Sequence, residues 1–217
     1  MYKTVVFDLD GTLLNTLTDL ADAGNRLCQK YGWATHERQA YRYFVGNGIP
    51  KLVERLAPAD QRTPAVLEAA LADFKRDYGQ HLRDTTAPYP GIPEMLAKLK
   101  ANGVQLAVFS NKADALAKEV VKDYFGTQYF TIVRGQMTGV APKPAAEGTN
   151  ALLQALHADP ASTLYVGDSN VDVETAHNAN LPCCGAVWGF RTREELNAAG
   201  AEYLAENSDE LYDVIMK

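Results

Sequence analysis

The sequence predicts an α/β fold: a mostly parallel, doubly wound sheet covered by helices on both faces, with an all-helical insert directly after the first strand. Three observations predict it. Val5-Val6-Phe7 is a β-branched and aromatic run that stops at Asp8-Leu9-Asp10-Gly11, as a buried strand does where it opens into a polar loop. From Asn15 to about Tyr78, apolar residues recur at three- and four-residue steps and no strand pattern interrupts them. Beyond Gly91 short apolar runs alternate with helical periods, the rhythm of βα units whose strands lie parallel.

Taken in order, Leu17, Leu20, Gly24, Leu27, Cys28 and Tyr31 mark one helical face, and Gly32 follows as a stop. A second helix around Tyr41 and Phe44 ends at Val45-Gly46-Asn47-Gly48, and a third begins near Ile49 with Leu52, Val53 and Leu56 on one side. Thr63-Pro64 supplies an N-cap with proline in the first turn, leading into Val66, Leu67, Ala70, Leu71, Phe74 and Tyr78. The turn residues from Thr85 to Gly91 form a hinge. The insert therefore spans residues 15–86, and residues 1–14 with 87–217 form the sheet domain. In that domain the pattern predicts helices over 93–101, 113–124, 146–157, from about 171, and over 210–215. Strands are predicted over 104–109, 129–133, 163–166 and 183–187.

A 217-residue chain with 47% hydrophobic and 22% charged residues has the composition of a soluble globular protein. Its net charge of −6 argues against general affinity for nucleic acid or anionic membrane. Cys28, Cys183 and Cys184 are odd in number and lack CxxC spacing, so they read as buried thiols rather than a disulfide framework or zinc site. The two adjacent ones point to opposite faces of their strand. The polar Asp8 follows the start so soon that no apolar signal region fits, and no later run reaches membrane-spanning length, which leads us to expect a cytoplasmic protein. His36, His81, His157 and His177 lack metal-ligand spacing.

Three polar clusters follow predicted strands: Asp8-Leu9-Asp10-Gly11-Thr12, Ser110-Asn111-Lys112 and Gly167-Asp168-Ser169-Asn170-Val171-Asp172. In a parallel sheet all three open onto one edge, where ligands bind. Four carboxylates gathered there repel one another and need a cation to stay ionised. Oxygen donors without clustered histidine or cysteine favour magnesium. Phosphoryl transfer needs a nucleophile, positive charge on the equatorial oxygens and a proton donor for the leaving group. Asp8 is placed to attack phosphorus, and the carboxylate two residues on, Asp10, to give and take a proton. Gly11 permits the turn between strand and loop. Ser110 and nearby N–H groups can bind phosphate oxygens, and Lys143 can bring a point charge to the transition state.

Phe7-Asp8-Leu9-Asp10-Gly11-Thr12-Leu13, Ser110-Asn111-Lys112, Lys143-Pro144 and Gly167-Asp168-Ser169-Asn170-Val171-Asp172 resemble, in this order, the four motifs of the haloacid dehalogenase-like phosphatase superfamily. The resemblance spans nearly the whole chain and implies a Rossmann-like core with a small helical cap inserted after the first motif. Val45-Gly46-Asn47-Gly48, Gly135-Gln136 and Val187-Trp188-Gly189-Phe190-Arg191 are similar to phosphoglycolate phosphatases. The resemblance implies Asp8 as nucleophile and metal ligand, Asp10 as general acid/base with its carbonyl on the metal, Asp168 as metal ligand, and Asp172 as support for the metal's water shell. It further implies Ser110, Asn111 and Lys143 as phosphate-site groups, with Thr12 bracing the first loop. Asn15, where relatives commonly show Asp, and Ala146, where a proline is usual, depart from the pattern.

Three features admit two readings each. Lys112 either reaches the phosphate or favours solvent at a helix start. The N–H groups of Gly46, Asn47 and Gly48 either meet a substrate carboxylate or merely reverse the chain. Arg191 either approaches the site or lies on the surface. The expected function is magnesium-dependent hydrolysis of a small phosphomonoester, with 2-phosphoglycolate the leading substrate, in a monomer or homodimer. The alternatives are a sugar phosphomutase, another small-molecule phosphatase such as a pyrophosphatase, a halide-displacing enzyme, and a non-enzymatic phospho-aspartate switch.

Overall fold

The computed structural model describes residues 1–217. In chain order the elements are β1 (Thr4–Phe7), β2 (Leu14–Asn15), α1 (Leu17–Tyr31), α2 (Arg38–Phe44), α3 (Ile49–Leu56), α4 (Pro64–His81), β3 (Ala87–Pro88), α5 (Ile92–Ala101), β4 (Gln105–Ala113), α6 (Asp114–Phe125), β5 (Phe130–Gln136), α7 (Ala146–Leu156), β6 (Thr163–Gly167), α8 (Asn170–Asn178), β7 (Cys183–Ala186), α9 (Arg193–Ala198), β8 (Tyr203–Ala205) and α10 (Ser208–Met216). They fall into two compact units, Met1–Leu14 with Pro88–Lys217, and Asn15–Ala87.

The larger unit is the expected parallel α/β sheet. Its six strands run in the order β5-β4-β1-β6-β7-β8. Every pairing in it is parallel. The chain moves from β1 outward to β4 and β5, then returns to fill the other side, so the order reverses beside β1, the place where open α/β sheets bind ligands. Register aligns Phe7 with Val108 on one side and with Val166 on the other. The residues that follow these three therefore emerge at one level.

Strand alternation builds two cores. Val6, Ala107, Tyr165 and Cys183 form one row across the sheet. They pack under Leu152, Leu153 and Leu156 of α7, Val173 and Ala176 of α8, and Leu196 of α9. On the other face Phe7 meets Phe130 edge to face, and Phe130 meets Phe125 of α6. Cys184, one residue from Cys183, is buried as well, so both faces at this position are core.

Three details differ from the sequence reading. β4 continues through Ser110-Asn111-Lys112 to Ala113, with an irregular register between Phe109 and Ala113. The second polar cluster is thus the bulged end of a strand rather than a loop after it. β5 likewise runs on to Gln136. Helix α9 and edge strand β8 were not anticipated. The Thr192/Glu195 capping box that starts α9 was legible as T-x-x-E, whereas β8 is three residues long with an outward Tyr203 and carries no strand pattern.

The smaller unit is all-helical apart from the strand residues at its ends. Leu20, Leu27, Tyr41, Leu52, Val53, Leu56, Phe74 and Tyr78 are buried in it. Gly24 lies where a Cβ would come within 2.5 Å of the Tyr41 ring, so its absence lets that ring close on α1. Asn25 accepts from the Tyr41 hydroxyl and exchanges two hydrogen bonds with the His36 main chain. Buried Asp19 accepts from the backbone and hydroxyl groups of both Thr85 and Thr86, tying the last residues of this unit to its first helix. Thr63 caps α4 through the N–H of Val66, with Pro64 in its first turn. Arg55 of α3 donates to the Phe44 carbonyl and to Asn47 Oδ1, both at 2.8 Å, so the Val45–Gly48 turn is held from the following helix. No helix of the chain is long and apolar enough to cross a membrane.

Candidate functional site

Asp8 directly continues β1, its N–H donating to the Val166 carbonyl at 2.8 Å. The chain then turns tightly: the N–H groups of Thr12, Leu13 and Leu14 all point to the Leu9 carbonyl. Gly11 adopts φ +90°, and a Cβ there would lie 2.3 Å from Asp168 Oδ2. Only glycine combines that backbone with such close approach. Thr12 Oγ1 donates to Asp168 Oδ1 at 3.1 Å, joining the first loop to the loop after β6.

Asp168 is locked from the far side by Val187–Arg191. The Phe190 N–H donates to its Oδ2 at 2.7 Å, and the Arg191 N–H to its carbonyl at 3.2 Å. Gly189 is pressed against it, since a Cβ would come within 2.2 Å of Asp168 Cβ and 2.5 Å of the Gly11 carbonyl. Trp188 Nε1 donates to the Thr12 carbonyl at 3.0 Å. The Trp-Gly-Phe-Arg run therefore clasps the two loops that follow β1 and β6 at once, and Arg191 is buried rather than on the surface.

Asp172 sits in the first turn of α8. Its Oδ2 accepts from the N–H and Oγ of Ser169 in a reciprocal capping box. Its Oδ1 faces Lys143 Nζ at 2.7 Å. Lys143 Nζ also lies 2.9 Å from Asp8 Oδ1 and 3.3 Å from the Tyr165 hydroxyl. The lysine precedes a cis Lys143-Pro144 bond. Asn111 grips its main chain at both ends, accepting from the Lys143 N–H at 2.9 Å and donating to its carbonyl at 3.3 Å. Asn178 of α8 donates to the Pro144 carbonyl at 2.8 Å.

Asp10, partly exposed, pairs with Lys112 Nζ at 2.9 Å. Ser110 Oγ accepts from the Lys112 N–H at 3.2 Å, leaving its own proton available to a ligand. Gly46, Asn47 and Gly48 belong to the smaller unit, where Arg55 holds Asn47. The histidines join none of this: His81 pairs with Asp84, His177 with Glu202, His36 packs on Tyr41 and Phe44, and His157 ends α7.

The electrostatics favour a cation at this edge of the sheet. Asp8, Asp168 and Asp172 are buried, with one oxygen of each mutually within 4.8 Å. Lys143 is the cation among them. The Lys143 ammonium, 2.9 Å from Asp8 Oδ1 and 2.7 Å from Asp172 Oδ1, is one positive charge set against three buried carboxyl groups. Burial, partly offset by Lys143, pushes the Asp8 carboxyl up to about 7. Burial, then Asp172 and Asp8, push Asp168 well above the usual carboxylate range. Burial works against the Lys143 ammonium, but Asp172 and Asp8 outweigh it and hold its pKa well above the ordinary lysine value. An all-oxygen donor set with uncompensated negative charge fits a hard divalent cation.

Sequence reasoning missed Tyr165, Ser169 and Asn178. Ser169 was discoverable as the start of an S-x-x-D capping pattern. Tyr165 and Asn178 carry no local signal, because their roles depend on which strand and loop end up beside them.

The haloacid dehalogenase-like hydrolase profile matches residues 5–186. A phosphoglycolate phosphatase of Chromobacterium violaceum is 31% identical over 216 residues, covering 98% of this chain and 96% of that protein. One of Neisseria meningitidis is 32% identical over 191 residues, covering 87% and 81% respectively. Among solved structures, that of a candidate phosphoglycolate phosphatase from Lactobacillus delbrueckii subsp. bulgaricus superposes with a TM-score of 0.93 at 28% identity, covering 99% of this chain and 98% of that one. With its motifs gathered on one sheet edge and matched across most of its length, the chain belongs to the haloacid dehalogenase-like hydrolase family.

Proposed function

We propose that the enzyme is a magnesium-dependent phosphatase that works through a phosphorylated Asp8, with 2-phosphoglycolate as its substrate. The observation that carries the reading is the buried cluster of Asp8, Asp168 and Asp172, one oxygen of each within 4.8 Å of the others, with Lys143 2.9 Å from Asp8. The residue types suit magnesium, held by Asp8, the Asp10 carbonyl and Asp168, with Asp172 behind them. When bound, the ion supplies positive charge to the phosphoryl oxygens.

The chain's own groups account for the rest. A carboxylate oxygen of Asp8 forms a bond to phosphorus while the bond to the leaving oxygen breaks, and Asp10 gives that oxygen a proton. Water then attacks phosphorus, Asp10 takes back a proton, and the bond to Asp8 breaks. Lys143 and the Ser110 hydroxyl bind the transferring phosphoryl oxygens, and Asn111 keeps Lys143 at its height. Thr12 steadies the first loop against Asp168. Residues 15–86 act as the cap that reads the leaving group, with the N–H groups of Gly46–Gly48 taking its carboxylate. The relatives named phosphoglycolate phosphatase support this substrate.

The test is phosphate release across a panel of 2-phosphoglycolate, sugar phosphates, nucleotides and pyrophosphate, with magnesium and with EDTA. The expected result is turnover that peaks on 2-phosphoglycolate, stops in EDTA and is abolished in Asp8→Asn. Full turnover by Asp8→Asn overturns the mechanism, and sugar-phosphate interconversion without net phosphate release points to a mutase instead.

A further inference from the structure

Lys112 is a buried cation that no step above employs. Its side chain is 3% exposed, and its ammonium lies 2.9 Å from one oxygen of Asp10 and 3.3 Å from the other. The main chain of Lys112 is braced by its neighbours. Its N–H donates to Ser110 Oγ. Gly135 of β5 lies so close that a Cβ there would sit 2.4 Å from the Lys112 carbonyl and 2.6 Å from Asp114 Cα. The Gly135 N–H donates to Asp114 Oδ1 at 3.0 Å, closing this contact. The register between β4 and β5 shifts between Phe109 and Ala113, the stretch that contains Lys112. Gly135-Gln136 stood out in the sequence and has no other role in the site.

We infer that Lys112 is a positioning residue that holds the Asp10 carboxylate in one orientation, and that residue 135 is glycine because a side chain there displaces Lys112. The inference rests on the reading of Asp10 as proton donor and acceptor. A phosphate taking the buried Lys112 ammonium would have to displace Asp10 from its ion pair, so direct phosphate binding is the poorer use of this side chain. Gly135, Asp114 and Lys112 together form a route by which β5 reaches Asp10 without touching the ligand.

The experiment compares Lys112→Met, Lys112→Arg and Gly135→Ala with the wild type. Each is assayed on an alkyl phosphate monoester and on p-nitrophenyl phosphate, with inorganic phosphate as inhibitor. The alkoxide leaving group needs the proton from Asp10, whereas nitrophenolate departs without it. For Lys112→Met we expect kcat/KM on the alkyl ester to fall roughly ten- to a hundred-fold, far less loss on the aryl ester, and an unchanged phosphate inhibition constant. Lys112→Arg should restore most of the rate. Gly135→Ala changes no charge and should show the same leaving-group pattern, so it carries the test if Lys112→Met does not fold. Weakened phosphate inhibition, or equal loss on both esters, overturns the inference while leaving the phosphatase reading intact. A wild type that releases no phosphate from any ester ends both.

Discussion

Asp172 divides its two oxygens between separate tasks: Oδ1 lies 2.7 Å from Lys143 Nζ, while Oδ2 receives the amide and hydroxyl of Ser169. One carboxylate thus starts helix α8 and supplies the counter-charge for the buried lysine. Asp172→Asn keeps the size but removes the charge, leaving Lys143 with Asp8 alone. Loss of one partner from a buried pair should lower stability by about 3 kcal/mol. The check is a denaturant titration of the variant, with kcat measured alongside and expected to fall by at least tenfold, about 1.4 kcal/mol of barrier.

The metal-free protein should become less stable as pH rises from about 4 to about 7. Burial raises Asp8 from its ordinary 3.8 to about 7, so the folded state binds this proton more tightly than the unfolded chain does. Between those values unfolding releases the proton, and stability therefore falls with rising pH. A divalent cation should reverse this, because it replaces the proton as the compensating charge. Melting temperatures in EDTA across this range, for wild type and Asp8→Asn, test it. The variant should show a shallower slope and a higher metal-free melting temperature at neutral pH; a slope identical to wild type counts against the assignment.

Gly189→Ala should damage the site without altering any charged residue. The new Cβ would meet Asp168 Cβ and the Gly11 carbonyl well inside contact distance. Two of the three clashing atoms belong to the Asp168 side chain and the third is the Gly11 carbonyl, so Asp168 or the loop against it must shift. Isothermal titration should show magnesium affinity reduced by tenfold or more, in the range found when the supports of metal ligands are removed, roughly 10- to 100-fold. Unchanged affinity with normal stability contradicts the clasp described for Val187–Arg191.

Asn47→Ala removes the side chain that Arg55 holds, loosening the Val45–Gly48 turn. If that turn reads the substrate carboxylate, KM for 2-phosphoglycolate should rise several-fold, about 1 kcal/mol for one lost hydrogen bond. The same variant should leave kcat/KM for p-nitrophenyl phosphate, which has no carboxylate, close to wild type. Parallel losses on both substrates would argue that the turn serves only to reverse the chain.

Much of the sheet domain was legible in the sequence, because a parallel strand buried on both faces must be a continuous apolar run and the loop after it must be polar. Val5-Val6-Phe7 before Asp8 and Leu164-Tyr165-Val166 before Asp168 show this directly. The end of β4 was not legible, since Ser110-Asn111-Lys112 is polar throughout and its pairing with β5 resumes, after an irregular stretch, only at Ala113 and Gln136. Likewise, Asn111 read as a phosphate-site group, and the structure shows its amide gripping the Lys143 main chain.

By itself, the order of apolar runs, helical periods and acidic loops determined an α/β protein with a helical insert and an anionic edge, since the periodicity of apolar residues and the sign of charges are written in the residue types. Tertiary structure decided the pairings. That Lys143 faces Asp8 and Asp172, that Lys112 faces Asp10, and that Gly189 presses on Asp168 follow from strand order and register, which bring together residues far apart in the chain. No local pattern encodes such distances, because they are set by packing across the whole sheet.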